Sequence, residues 1–253
     1  MKTIDLENRY CSAISDYLGN NPNPKLQSCL VLSNGKPRYW NCVDIERAKE
    51  SILWTSINPS GTPNIPQKND PFNLIWDNLD ESQAYWKLLK IKVAPIMDYC
   101  GHMDLLPIHI GLEKKLHSLL FSKDSIAERK LAVNLLCASQ EMIEYLQPKL
   151  IVHSNSTSRF LWGTEINKGI YWLGYILEEV SGFELDCWKT GKGSRKLYRI
   201  KGLHPESINN KKTTNLSGTY LLIDYQVGTR MATKSIGIED LKNLWQWVNL
   251  HKQ

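Results

Sequence analysis

Apolar side chains recur at helical spacing in two long stretches of the chain and run unbroken in several short ones. Over residues 3–18, Ile4, Leu6, Tyr10, Ala13, Ile14 and Leu18 predict an amphipathic helix, stopped by Gly19 and an Asn-Pro-Asn-Pro segment. Asp124 to Leu146 has the clearest helical spacing: Ile126, Leu131, Leu135, Ala138, Met142, Ile143 and Leu146, with Pro148 just beyond. Shorter helices are predicted at 82–90, 112–120, from 157, near 216–224 and over 238–250. Strands are predicted at 50–57, of the parallel type buried on both faces, at 96–105 and at 150–154. Short strands are also predicted at 36–40, 183–188 and 196–200, with Gly191 and Gly193 in the turn between the last two. Pro63, Pro66 and Pro71 make residues 62–71 a loop.

Strands alternating with helices predict an α/β fold. The expectation is a three-layer α/β/α single domain over 1–253, with a central, mainly parallel four-stranded sheet and residues 1–50 packed on it as an N-terminal extension. Composition changes little in this picture. The chain has 253 residues, 42% hydrophobic and 23% charged, which is ordinary for a globular protein. No apolar run is long enough to span a bilayer, so a cytoplasmic monomer with no membrane partner is expected. Cys11, Cys29, Cys42, Cys100, Cys137 and Cys187 form no CxxC pair. Free thiols, with neither metal nor cofactor, are the simpler reading.

Charge adds more. The net charge is +5, and residues 186–212 hold eight basic side chains against Asp186 and Glu206. That concentration suits a polyanion such as DNA. A solvated hairpin whose charges protect an edge strand would look the same.

The basic segment brackets Gly202-Leu203-His204-Pro205-Glu206-Ser207, which follows the run 196–200. A similar loop, Ile57-Asn58-Pro59-Ser60-Gly61-Thr62, follows Ile52-Leu53-Trp54-Thr55-Ser56. Open α/β sheets bind ligands in the loops at the carboxyl ends of their strands. An amide and an imidazole at two such ends could direct a water and accept developing negative charge.

These loops, in this order, resemble the uracil-DNA glycosylase superfamily over roughly residues 53–207. Ile57-Asn58-Pro59-Ser60-Gly61 is similar to its first motif in the Asn-bearing, mismatch-specific form, with Ser56 in place of the usual Gly. Gly202-Leu203-His204-Pro205 is similar to the start of the second motif, which departs here at Glu206-Ser207. Met103-Asp104-Leu105 stands where the family has its base-reading strand end. Leu146 to Val152, followed by Leu161-Trp162-Gly163, resembles a later strand and helix.

The resemblance implies a monofunctional glycosylase that hydrolyses the N-glycosidic bond of a flipped pyrimidine in DNA repair or in defence against modified viral DNA. His204 would donate to O2 of the leaving base, where negative charge develops, and Asn58 would orient water. Ser60 stands where strict uracil enzymes carry an obstructing ring, which leaves room at C5. An ionised Asp104 would accept from the N4 amino group of cytosine. Together these suggest a C5-modified cytosine. Ile57 would line the base pocket, and Phe72 or Trp54 would stack on the base. Ile208 would fill the gap left by the flipped nucleotide, while Asn209, Lys211 and Lys212 meet phosphates.

Each residue has a plainer alternative. His204 could cap a turn, Asn58 open one, Asp104 cap or pair, and Ile208 sit in a loop. Asp98 and His102 compete with Asp104. A non-catalytic nucleic-acid-binding protein of the same fold and a small-molecule hydrolase are the rival functions.

Overall fold

The computed structural model describes residues 3–20, 22–30, 42–58, 72–79, 84–110, 113–121, 125–167, 169–181, 196–227 and 234–251. Its helices are α1 (Thr3–Leu18), α2 (Pro24–Leu30), α3 (Ala84–Val93), α4 (Glu113–Leu120), α5 (Ile126–Leu146) and α6 (Ile238–Leu250). Its strands are β1 (Cys42–Val43), β2 (Ile52–Ser56), β3 (Asn73–Leu74), β4 (Cys100–Asp104), β5 (Leu150–His153), β6 (Tyr175–Glu179), β7 (Lys196–Leu203) and β8 (Tyr220–Ile223). No helix among the described residues is long and apolar enough to cross a membrane.

The fold is α/β, but its sheet has eight strands rather than the four expected, in the order β3-β1-β4-β2-β5-β8-β7-β6. Within it β4, β2, β5 and β8 are adjacent and mutually parallel. The hairpin β6–β7 extends the sheet, with β7 antiparallel to β8 and β6 antiparallel to β7. At the other side β1 pairs antiparallel with β4 and parallel with β3.

Alternation along the central strands sends their side chains into two apolar clusters. Leu53, Met103, Ile151 and Leu221 join residues of α1, α2, α4 and α5. Ile52, Trp54, Cys100, Val152 and Leu222 join Trp86, Leu89 and Val93 of α3 and Leu241, Leu244 and Val248 of α6. This two-sided burial explains the unbroken apolar runs. It also explains one error. Tyr220 to Ile223, expected to be helical, is β8, because a short apolar run carries no periodicity that separates a helix from a buried strand.

The other expected elements shift less. Helix α1 spans 3–18 as expected, and α5 begins two residues later than expected. Residues 94–99 form a 3-10 turn, and only Cys100–Asp104 are strand. Residues 156–162 are also 3-10. The strands expected at 36–40 and 183–188 and the loop at 62–71 lie outside the described residues.

Candidate functional site

The four parallel strands end at one level. Ser56 pairs with Asp104, Thr55 with His153, and His153 with Ile223. The ladder continues one residue further, through Ser154 N–H to Thr55 O at 2.8 Å and Asp224 N–H to His153 O at 2.9 Å. Asp104, Ser56, Ser154 and Asp224 therefore form a row across β4, β2, β5 and β8. Each lies two residues beyond a side chain on the α3/α6 face, so all four share that face. All are buried.

Tyr85, near the start of α3, stands over this row. Its hydroxyl lies 3.2 Å from His102 Nε2 and also interacts with the hydroxyls of Ser56 and Ser154. Burial and the nearby Asp104 charge push the phenol pKa up, and the two serines oppose the shift. His102, buried against Trp86, is pushed down to about 3 by burial and stays neutral.

Ser56 Oγ donates to Asp104 Oδ1. Burial raises the Asp104 pKa from 3.8 to about 7, and the Ser56 hydrogen bond only partly offsets this. The carboxyl therefore carries its proton through much of the range below neutrality. Of its sequence competitors, Asp98 is 92% exposed and faces Arg47, while His102 sits two residues further down β4.

Asn58 lies two residues beyond β2. Both hydrogens of its amide are directed at backbone carbonyls, Ile108 O and Ile110 O, each at 2.9 Å. This fixes the orientation of the amide: the nitrogen faces the 108–110 segment and Oδ1 is directed away from it. An amide held in this way can orient a water through its oxygen without acting as a base.

A second polar set lies on the opposite face of the same edge. Thr55 Oγ1 is 3.0 Å from His153 Nδ1, and His153 Nε2 is 2.8 Å from Ser158 Oγ. The order resembles a nucleophile, base and orienting group. However, all three are wholly buried, and Ser158 Oγ also donates to Asn155 O. We assign this set to the structure of the turn that follows β5.

The His204 loop is held elsewhere. Because β7 is antiparallel to β8, its chain runs from the carboxyl edge of the parallel strands toward their amino edge, so Lys196 pairs with Ile223 and Arg199 with Tyr220. The second half of β7 continues beyond Tyr220, paired with β6. His204 N–H donates to Gly174 O. Its ring stacks on Tyr171, with centroids 3.7 Å apart, and its Nδ1 accepts from Glu206 N–H. His204 thus caps its own turn. Gly174, at φ 69°, has no room for a Cβ, which would meet Ser207.

Helix α5 meets the two loops with different faces. Ser139 Oγ donates to Leu105 O, one residue beyond Asp104. Gln140 Nε2 donates to Leu173 O, Asn209 Nδ2 to Gln140 Oε1, and the Cys137 thiol to Ile208 O. Because β7 runs antiparallel to β8, His204, unlike Asn58, does not follow one of the parallel strands.

Several smaller expectations change as well. Ile208 packs on the core cluster rather than standing out as a wedge, and Asn209 is engaged by Gln140. Lys212 is exposed and Lys211 half-buried, as binding to phosphates would allow. Phe72 and Trp54, proposed to stack on a base, are buried, Phe72 against Tyr10. Ile57 is a core residue. The basic charge of β7 is partly answered across the hairpin, by Lys196–Glu179 at 2.6 Å and Lys201–Glu178 at 3.2 Å. Ser60 and Cys187 lie outside the described residues. Cys11, Cys29, Cys42, Cys100 and Cys137 are free thiols.

Sequence reasoning overlooked Tyr85, Ser154 and Asp224. A usable signal was present, because three of the four parallel strands exchange an apolar residue for a polar one on the same face as they end: Trp54 then Ser56, Val152 then Ser154, Leu222 then Asp224.

No protein-family model matches this chain, and no curated protein matches it.

Proposed function

We propose that the chain is a monofunctional DNA glycosylase acting on a flipped pyrimidine, with its chemistry at the carboxyl edge of β2 and β4. The observation that carries this reading is the pairing of a pre-oriented Asn58 amide with the buried Asp104–Ser56 pair on adjoining parallel strand ends. Ligands of open α/β sheets bind at such an edge.

Hydrolysis of an N-glycosidic bond builds positive charge on the sugar, so a weak nucleophile suffices. Asn58 Oδ1 accepts a hydrogen bond from the attacking water and aims its lone pair. Holding the reactants in place can supply much of a barrier reduction. Asp104 reads the base edge, and a C5-modified cytosine is the base class proposed. The three-layer α/β/α arrangement belongs to this reading and is supported by the apolar cluster on each face of the sheet. So do a cytoplasmic location, DNA as partner, and a role in repair or antiviral defence.

In this reading the His204 loop contacts DNA away from the reacting bond. Its stacked Tyr171–His204 pair and Lys211 and Lys212 also fit a second reading, a nucleic-acid-binding protein that releases no base.

A panel of single- and double-stranded oligonucleotides separates the two. Each carries uracil, a mismatched thymine or a C5-modified cytosine and is scored for abasic sites. Abasic sites at one base type are expected. DNA binding without release from any of them would overturn the enzymatic reading in favour of the second.

A further inference from the structure

His204 follows an antiparallel strand, and the carboxyl edge of the parallel strands carries a proton donor of its own in Asp104. We infer that Asp104 transfers a proton to N3 of a flipped cytosine-type base, so that the base leaves as a neutral molecule. This inference rests on the glycosylase reading and deepens it.

Asp104 closes the row of polar strand ends on β4, directly beside Ser56 and two residues from the level of Asn58. Ser56 Oγ donates to Oδ1, so Oδ1 serves as an acceptor, and the acid proton is assigned to Oδ2. A carboxylic acid then presents an acceptor and a donor side by side. The Watson–Crick edge of cytosine presents the complement, an N4 hydrogen and the N3 lone pair. Among the described titratable groups, Tyr85 from α3 and Cys42 from β1 sense the Asp104 charge, and His102 stands two residues before it on β4. Burial keeps all three uncharged near neutrality. The same burial holds the Asp104 proton up to about pH 7.

The step balances. The proton passes from Asp104 to N3, giving a carboxylate and a cytosinium joined by charge-assisted hydrogen bonds. The N1–C1′ bond breaks with its electron pair going to the base, which leaves neutral. Water oriented by Asn58 forms the new C1′–O bond, and its released proton restores the acid form of Asp104. A cytosine anion is a poorer leaving group than a uracil anion, so this base gains most from the transfer. Uracil already carries hydrogen on N3 and cannot accept a proton there.

The test compares two oligonucleotides that differ at one position, 5-methylcytosine against uracil, in single-turnover release from about pH 5 to about pH 9. Release of 5-methylcytosine by the wild-type chain should fall about tenfold per pH unit above about pH 7, while any uracil release lacks that limb. Asp104→Asn should lower 5-methylcytosine release by about a hundredfold or more and remove the limb. The wild-type contrast stands even if the variant folds poorly. Release of 5-methylcytosine with no such limb, the same limb for both bases, or release of uracil alone would overturn the inference and leave the glycosylase reading intact. No release from any oligonucleotide of the wider panel would overturn both.

Discussion

The loop after β2, beside the end of β4, and the loop after β7 look alike in sequence: in each, an apolar residue is followed by a polar one and then proline, Ile57-Asn58-Pro59 and Leu203-His204-Pro205. In the structure they differ in strand direction. Strands β2 and β4 are parallel, so Ser56 and Asp104 emerge together. Strand β7 is antiparallel to its neighbours, so its loop leaves the sheet separately and packs against α5. A shared loop chemistry therefore becomes a shared site only when the strands run the same way. The first loop carries a buried carboxyl and a clamped amide. The second carries a stacked, half-exposed imidazole and two lysines.

The strongest way to sharpen this comparison is through the buried carboxyl. A folded-state pKa raised from 3.8 to about 7 means that the folded chain binds the Asp104 proton more tightly than the unfolded chain. Asp104 therefore costs nothing below the unfolded value. Its cost grows as pH rises and is fully present above about 7. Urea unfolding of wild type and Asp104→Asn at about pH 4 and about pH 8 should differ in their gap by roughly 4 kcal/mol, at 1.36 kcal/mol per pH unit. The variant should be relatively more stable at the higher pH. A gap that does not change with pH would mean that the carboxyl is solvated.

Breaking the second loop should have a somewhat smaller effect. Gly174→Ala places a Cβ against Ser207 at a positive φ, and it should destabilise the chain by about 1–3 kcal/mol. A thermal shift near zero would show that the 171–174 and 204–208 segments are not locked together. The smallest effect concerns charge. Replacing Lys211 and Lys212 by Ala should reduce the slope of log DNA affinity against log salt by about one for each phosphate no longer neutralised. An unchanged slope would place the two lysines away from DNA.

The legible part of the molecule was its local periodicity. Helix α5 announces itself through Leu131, Leu135, Met142 and Leu146, and β2 through five consecutive buried residues. Strand order and direction were not legible, because they depend on pairing between residues far apart in sequence. The β8 segment reads as helix because a short apolar run has no distinguishing period, and β6 (Tyr-Ile-Leu-Glu-Glu) shows no apolar–polar alternation in its sequence. Asn58 could be singled out as a polar residue just past an apolar run, and Asp104 because it stands at a motif position of the resemblance. Tyr85 could not, because its part in the site depends on how α3 lies over the sheet. Glu178 and Glu179 were missed as counter-charges because they precede the basic segment and meet it only across the hairpin.

In the proposed reading the chemistry belongs to the first region and not to the second. The most direct test is a side-by-side measurement of single-turnover base release by Asn58→Ala and His204→Ala, each confirmed as folded and tested on the best substrate of the panel. Asn58→Ala should lose about a hundredfold or more, as expected when the positioning of a reactant is lost. His204→Ala should stay within about threefold of wild type, because its imidazole caps its own turn and stacks on Tyr171. A loss of a hundredfold at His204 with near-normal release at Asn58 would contradict the account.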